Sequence, residues 1–425
     1  MRRAILLAAR NPAAQRTGRI AVLEAAVAGL RGAGFEVTVV ALTKDETPSE
    51  WAGCELIRLQ PGGVLATAGG VLVSALRGGT LNAGLFRQRS LIRRVREAAD
   101  RIGADVVVGD GLRVWPLAAG SGRPCIMHLD DLLSDRYGSA GFAEGNSNIL
   151  GYFASQLPAR LVGPLERLAR ASLGFESSRA YREEVRIARA AAGVAMTSRA
   201  EAATLAARAG VTVDALPMAV DPRHPADPAS APPGTAVFLG VLHYGPNIAA
   251  LRHLRDAVLP ELERRGRRLA VDAVGAGAEE FAEEFAGTPI RLRGYAESLE
   301  EGLSGHRMFL SPILAGTGVK TKVLDGMSVG LPVVATRLGV EGIDVEDGQE
   351  VLLGETPAEF ADAVIRLMDS PELAARIGRA GRARLRDLMS SENVGAAWRA
   401  VLDRVVPPAQ SPEATGEITQ GKACP

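Results

Sequence analysis

Short apolar runs alternate with stretches of helical periodicity along almost the whole chain. In the first half the runs are Ala4–Ala9 (AILLAA), Glu36–Leu42 (EVTVVAL), Ala104–Asp110 (ADVVVGD), Cys125–Asp130 (CIMHLD) and Gly193–Ser198 (GVAMTS), and helical stretches such as Gly18–Ala33 and Leu85–Ile102 lie between them. Nearly continuous apolar strands separated by helices predict parallel sheets covered on both faces. The segment Asp221–Thr235, DPRHPADPASAPPGT, breaks the rhythm and reads as an extended linker. Beyond it the alternation restarts with AVFLGVL, RLAVDAVG, IRLRG, RMFLSP and LPVVAT. The predicted fold class is α/β, with two doubly wound domains facing a central cleft. The expected divisions are a first domain over 1–215, a Pro-rich linker over 216–235, a second domain over 236–390, a terminal helix over 391–406 and a disordered tail over 407–425. Ligands in such sheets bind at the carboxyl ends of the strands, which points to the cleft.

Composition narrows the classes. The 425 residues suit two or three domains, and 47% hydrophobic residues suffice for their cores. A formal net charge of +0 argues against a general nucleic-acid binder. Cys54, Cys125 and Cys424 are scattered and odd in number, which fits neither a disulfide framework nor a metal site and suits a reducing cytoplasm. The apolar core at the start is only AILLAA before Arg10, so it reads as a first strand rather than a signal peptide. No run reaches the roughly 18 apolar residues of a membrane span. The segment 62–101 carries seven arginines against Glu97 and Asp100, and Leu85, Phe86, Leu91, Ile92, Val95, Ala99 and Ile102 form an apolar stripe within it. Such a basic amphipathic surface suits peripheral contact with an anionic membrane; the alternative is a solvated basic face over an ordinary core contact.

The strongest chemical signal is Ser311–Thr336, SPILAGTGVKTKVLDGMSVGLPVVAT. The chain has four lysines, and two of them, Lys320 and Lys322, follow Gly316-Thr317-Gly318. The order strand, Gly-rich turn, helix places unpaired helix N–H groups beside lysine charge, which suits a phosphate. The spacing excludes a Walker loop and a dinucleotide G-x-G-x-x-G.

This stretch resembles the donor-site signature of GT-B glycosyltransferases, in the retaining family-4 (glycosyl transferases group 1) branch. The resemblance continues through Phe238–Leu251, Asp272–Gly277, Ile290–Tyr295 and Gly339–Ile343, and in the first half through Ala215–Pro222. It implies two Rossmann-like domains and transfer of a sugar from a nucleotide-diphosphate sugar to the hydroxyl of a glycan or lipid-linked acceptor, with no cofactor and no metal. Polysaccharide or surface-glycan biosynthesis is the setting it suggests. Asp325 takes the place of the carboxylate that binds the ribose, while Thr317 stands where a sugar-binding acid is expected. Gly316, Thr317, Gly318 and Val319 are then the backbone contacts. The first strand–loop of the second domain has no Arg or Lys before Arg252, so Lys320, with Lys322 as second choice, is expected to serve the diphosphate. His243, Tyr244 and Asn247 are expected to line the donor site; the plainer alternative is a loop that caps the next helix through Asn247.

In the first domain, His128 and Asp130 share one face at a strand end, and either is the candidate facing the transferred sugar. The plain alternatives are a packed histidine and an acid cap on the following helix. Gly18 and Arg19 are acceptor-side candidates. The resemblance also implies that the helix from Ser391 crosses back onto the first domain with Trp398 buried. Alternatives to the transferase are a sugar-nucleotide epimerase of the same fold and an inactive transferase-like binding protein.

Overall fold

The computed structural model describes residues 2–13, 18–138, 173–316 and 318–407. The expected tail 407–425 lies outside this set except for its first residue, and so does Thr317. The first domain is built on an eight-stranded sheet of β1 (Arg2–Ala8), β2 (Phe35–Leu42), β3 (Glu50–Trp51), β4 (Cys54–Leu59), β5 (Val106–Asp110), β6 (Cys125–Leu129), β7 (Gly193–Met196) and β8 (Asp214–Ala215). Its order is β3-β4-β2-β1-β5-β6-β7-β8, parallel except for the antiparallel β3–β4 edge. The second sheet, β9 (Thr235–Leu239), β10 (Ala270–Val274), β11 (Ile290–Gly294), β12 (Met308–Ser311), β13 (Val333–Ala335) and β14 (Val351–Leu353), is fully parallel in the order β11-β10-β9-β12-β13-β14. Counted from β9, that is the doubly wound order 3-2-1-4-5-6, whose switch point lies between the first and fourth strands.

The strands are apolar throughout because both faces are covered. Ile5, Leu7, Val40 and Val107 enter one core of the first domain, and Leu6, Val39, Val106 and Val108 enter the opposite one. Phe238 and Leu310 likewise point to one side of the second sheet, and Val237 and Phe309 to the other.

Residues 216–234 are extended but not loose. The Val220 N–H donates to Met389 O at 2.8 Å, the Arg223 N–H to Ser328 O at 3.0 Å and the Ala226 N–H to Val329 O at 2.7 Å, which pins the segment along the second domain. The helix Ser391–Val405 then packs on the helix Gly18–Gly32 of the first domain. Trp398, 1% exposed, fills the space that a side chain on Gly29 would take: an added Cβ would lie 2.4 Å from its ring.

The apolar stripe of 85–102 does not face outward. Phe86, Leu91, Val95 and Ala99 are buried in the first-domain core, with Leu85, Ile92 and Ile102 packed against them. An amphipathic helix has one apolar face, and here the core already occupies it. The exposed apolar surface lies instead on the helix Val64–Leu76, where Leu65, Leu72, Val73 and Leu76 are exposed. Among the described residues no helix is long and apolar enough to cross a membrane.

Candidate active site

The two sheets turn their carboxyl ends toward each other. On the second-domain side, β12 runs into the glycine turn and then the helix Thr321–Ser328, which buries Val323, Leu324 and Met327. Gly316 (φ 111°) and Gly318 (φ 75°) hold left-handed backbone that L side chains avoid, so glycine is needed at both. Lys320 stands at the N-cap of this helix, one residue before its first turn. Its Nζ donates to Gly318 O at 2.8 Å and to the Glu341 carboxylate at 2.9 Å, and lies 3.4 Å from Gly316 O. Burial lowers its pKa, with Glu341 opposing. Lys322 points elsewhere. Its Nζ donates to Asn247 Oδ1 and lies 4.6 Å from the centroid of the Phe238 ring. It has no carboxylate partner among the described residues, and burial, reinforced by Lys320, brings its pKa down to about 7.

Asn247 does not cap its helix. The N-cap of Gly245–His253 is Tyr244, and the buried Asn247 instead donates from Nδ2 to Val241 O at 2.8 Å while accepting from Lys322. It thereby ties the β9 loop to the lysine helix. Tyr244 lies over the glycine turn, its hydroxyl 3.5 Å from where a Cβ on Gly316 would sit. His243 packs on Gly277, and its Nδ1 is 3.2 Å from Glu280. Asp325 is half-buried on the same helix, i,i+3 from Lys322 and thus on a neighbouring face. Val319 lies against Gly342, as does Ser198 of the first domain, so the cleft narrows here.

The first-domain wall is charged. Register puts Asp110, the last residue of β5, opposite His128 on β6. Arg19, in the first turn of Gly18–Gly32, pairs with Asp110 and, at 2.7 Å, with Asp130. Burial opposes the Arg19 charge, but the two carboxylates outweigh it and raise its pKa. Burial likewise works against the Asp130 carboxylate, and Arg19 and Arg136 overcome this and hold it below the usual range. The Asp130 side chain still meets solvent, at 41% exposure. Asp131 pairs with Arg136 and faces the glycine turn, its Cβ 3.8 Å from where a Cβ on Gly318 would sit.

His128 belongs to the interior. It is 3% exposed, its Nε2–H donates to Leu216 O at 2.9 Å, and its ring lies 5.8 Å from that of Trp398. Burial and Arg19 lower its pKa. Of the two sugar-facing candidates, Asp130 alone opens on the cleft.

Sequence reasoning did not single out Glu201 or Arg136. The Glu201 N–H is capped by Ser198, and its Oε1 accepts the Leu132 N–H at 3.1 Å. Burial, together with the like charges of Asp131, Glu341 and Asp130, lifts its pKa to about 7. Glu201 thus stands beside carboxylates of both domains. The Ser198–Glu201 spacing, a capping-box pattern at the end of β7, was the available signal.

Comparisons with known proteins fit this architecture. Residues 233–370 match the profile of the family described as glycosyl transferases group 1. Over 138 residues the chain is 27% identical to an uncharacterized 44.6 kDa protein in the cps region of Klebsiella pneumoniae; the match spans 30% of this chain and 36% of that relative. The structure of HepE from Anabaena in complex with UDP and glucose superposes with a TM-score of 0.63 at 13% identity, covering 95% of this chain and 100% of that one. Sucrose-phosphate synthase from Thermosynechococcus elongatus gives 0.68 at 17% identity, covering 95% and 99%. The chain resembles the GT-B glycosyltransferases in fold over nearly its full length, and its second domain resembles the group 1 family in sequence.

Proposed function

We propose that the chain is a glycosyltransferase that moves a sugar from a nucleotide-diphosphate sugar to an acceptor hydroxyl. The observation that carries this reading is Lys322: a partly buried cation without a carboxylate partner among the described residues, at the start of a helix behind a glycine turn. A diphosphate against that turn would meet helix N–H groups and a lysine whose charge it restores. Asp325 is assigned to the ribose hydroxyls, through charge-assisted hydrogen bonds. His243, Tyr244 and Asn247 line the same loop. The order of the two lysines differs from the sequence expectation, because Glu341 and two carbonyls already engage Lys320.

The acceptor lies against the first domain. Asp130, kept ionised by Arg19, accepts hydrogen bonds from the transferred sugar. In the reaction the bond from the anomeric carbon to the diphosphate breaks, the acceptor oxygen bonds to that carbon, and the hydroxyl proton passes to the departing phosphate oxygen. Preorganised donors stabilise the charge that develops there. This course retains anomeric configuration and calls for no metal. The setting that fits is assembly of a polysaccharide or surface glycan in the cytoplasm, with Leu65, Leu72 and Leu76 dipped into an anionic bilayer surface and the exposed Arg77, Arg89, Arg93 and Arg94 nearby in sequence.

Product analysis tests the reading. Release of nucleoside diphosphate that depends on an acceptor supports it. Epimerisation without acceptor would assign the cleft to the epimerase class, and binding without turnover to a transferase-like binder. Unchanged turnover in excess chelator checks metal independence, and the anomeric configuration of the product checks retention.

A further inference from the structure

The first domain carries a groove outside the cleft wall, where the helix Leu133–Gly138 packs on the helix Leu173–Ala190. It holds a cavity of about 600 Å³, a volume typical of ligand sites. The described residues that line it offer three kinds of contact: the rings of Phe175 and Tyr181, the hydroxyls of Ser177 and Ser178, and the opposite charges of Asp135 and Arg182. The rings are held from one side. The Arg179 guanidinium lies 4.2 Å from the centroid of Phe175, and that of Arg208 lies 5.3 Å from the centroid of Tyr181. Arg208 also donates to both Asp135 carboxylate oxygens, at 2.9 and 3.0 Å, so one side chain fixes a ring and a carboxylate together. The wall behind them is bonded as well: Ser177 Oγ donates to Ser134 O at 2.8 Å, and Ser134 Oγ to the buried Glu184 carboxylate at 2.6 Å. Phe175 is nevertheless 58% exposed and Tyr181 43% exposed, so each ring keeps surface that no guanidinium covers. Single exposed aromatics are ordinary; two that share one cavity, each pinned by its own arginine, make a prepared surface.

The helix Arg199–Ala209 sets the distance from this groove to the cleft. Glu201, near its start, meets the Leu132 N–H beside the cleft wall, and Arg208, near its end, meets Asp135 in the groove. Seven helical residues separate the two, about 10 Å along the axis. The groove is thus too far out for the reacting sugar and within reach of further units of the same chain. We propose that it binds distal sugar units of a glycan acceptor. The subsite deepens the transferase reading and rests on it. A pyranose has apolar C–H faces that stack on aromatic rings and a rim of hydroxyls that both donate and accept hydrogen bonds. Serine hydroxyls, a carboxylate and a guanidinium are partners for that rim. A purely apolar occupant would cover these polar groups without satisfying them, and an anionic one would meet Asp135.

The test exposes the labelled full chain to an array of bacterial oligosaccharides and their component monosaccharides, with calorimetry on the oligosaccharide that binds. Nucleoside diphosphate is titrated separately into the same samples. At least one oligosaccharide should bind about tenfold or more tightly than its monosaccharide units. Phe175→Ala with Tyr181→Ala should weaken that binding about tenfold or more and change nucleoside diphosphate affinity less than about twofold. Tyr181→Phe keeps the ring and should bind as the wild type does, which separates stacking from damage to the fold. If the double variant does not fold, Tyr181→Ala alone serves and should still lose about threefold or more. No oligosaccharide bound by the folded chain, or binding that the ring substitutions leave undiminished, overturns the proposal. Ring-dependent binding to phosphatidylglycerol vesicles in place of any oligosaccharide also overturns it, by giving the groove to a membrane. If nucleotide binds and no oligosaccharide does, the subsite falls and the transferase reading stands. If an oligosaccharide binds through the rings and no nucleotide does, the donor reading fails and the glycan site stands.

Discussion

Lys320 Nζ lies 2.9 Å from the Glu341 carboxylate, so one of the two lysines behind the glycine turn is already paired. Among the described residues the other, Lys322, meets the neutral Asn247 and the face of Phe238. The pair therefore divides into a lysine that shapes the turn and a lysine that waits for an anion.

That division separates two substitutions. Lys322→Ala should weaken nucleoside diphosphate binding by about tenfold or more, since a charge-assisted contact contributes about 1.5–3 kcal/mol. It should leave folding stability unchanged or raised, because it removes a buried charge. Lys320→Ala should lower stability by about 1–3 kcal/mol, by stranding carbonyls of the turn. Calorimetry and denaturant melts of both variants check this; a Lys322 variant that binds like wild type refutes it.

Binding should take up a proton. The ammonium of Lys322 titrates at about 7 in the empty site, and a bound diphosphate raises that value by favouring the charged form. At pH 8 the empty site is largely neutral and the occupied site charged, so affinity should fall as pH rises from about 7 to 9. Binding enthalpies in buffers of different ionisation heat measure the uptake, and Lys322→Ala should abolish it.

Glu201 predicts a signature of the same sign in stability. Its carboxyl is raised to about 7 by burial and by Asp131, Glu341 and Asp130, so the folded state holds a proton that the unfolded chain releases near its ordinary value. The stability from this group is present at low pH and is lost as pH rises to about 7. Glu201→Gln should gain on wild type by on the order of 1–3 kcal/mol between pH 5 and 8. Paired melts across that range test it, and a constant difference would contradict it.

The apolar side of Val64–Leu76 predicts membrane binding. Co-sedimentation with anionic vesicles at low salt should be strong for the wild type and weak for the triple variant Leu65→Ser, Leu72→Ser, Leu76→Ser. Stability should change by less than about 0.5 kcal/mol per site, because these side chains are exposed. A folded wild type that ignores such vesicles removes the contact.

The crossing helix is the interlock of the two halves. Trp398→Ala should cost about 3–5 kcal/mol, as expected for a buried aromatic. Gly29→Ala should also destabilise, since its new methyl carbon would lie 2.4 Å from the Trp398 ring. Guanidinium melts of each variant report both.

Much of this was legible in the sequence for physical reasons. Strands buried on both faces leave continuous apolar runs, so β1, β2, β5, β6 and β7 and most of the second sheet could be read directly. The two-residue strands β3 and β8 are too short to leave a pattern, β14 is a lone apolar triplet, and in the six-residue β4 Glu55 and Arg58 interrupt the apolar run, so it was missed as well. The glycine turn was visible because left-handed backbone selects glycine at Gly316 and Gly318. The direction of each lysine was not, since it depends on the helix beginning at Thr321 and on Asn247 arriving from another loop. Glu201 is unremarked in a line of text and meets Asp131 and Glu341 only through the fold. His128 shows the converse: its position beside Asp130 suggested chemistry, and packing against Trp398 and Leu216 occupies it instead.

The most direct test of the donor site is a thermal-shift panel of nucleoside diphosphates and their sugars on the wild-type chain and on Lys322→Ala and Asp325→Asn. At 100 times its dissociation constant a ligand adds about 2.7 kcal/mol of stability. The account predicts that at least one nucleotide raises the wild-type melting temperature and that each substitution cuts the shift to about half or less without unfolding the protein. A folded wild type that no nucleotide stabilises, or a shift that both substitutions leave undiminished, would contradict it.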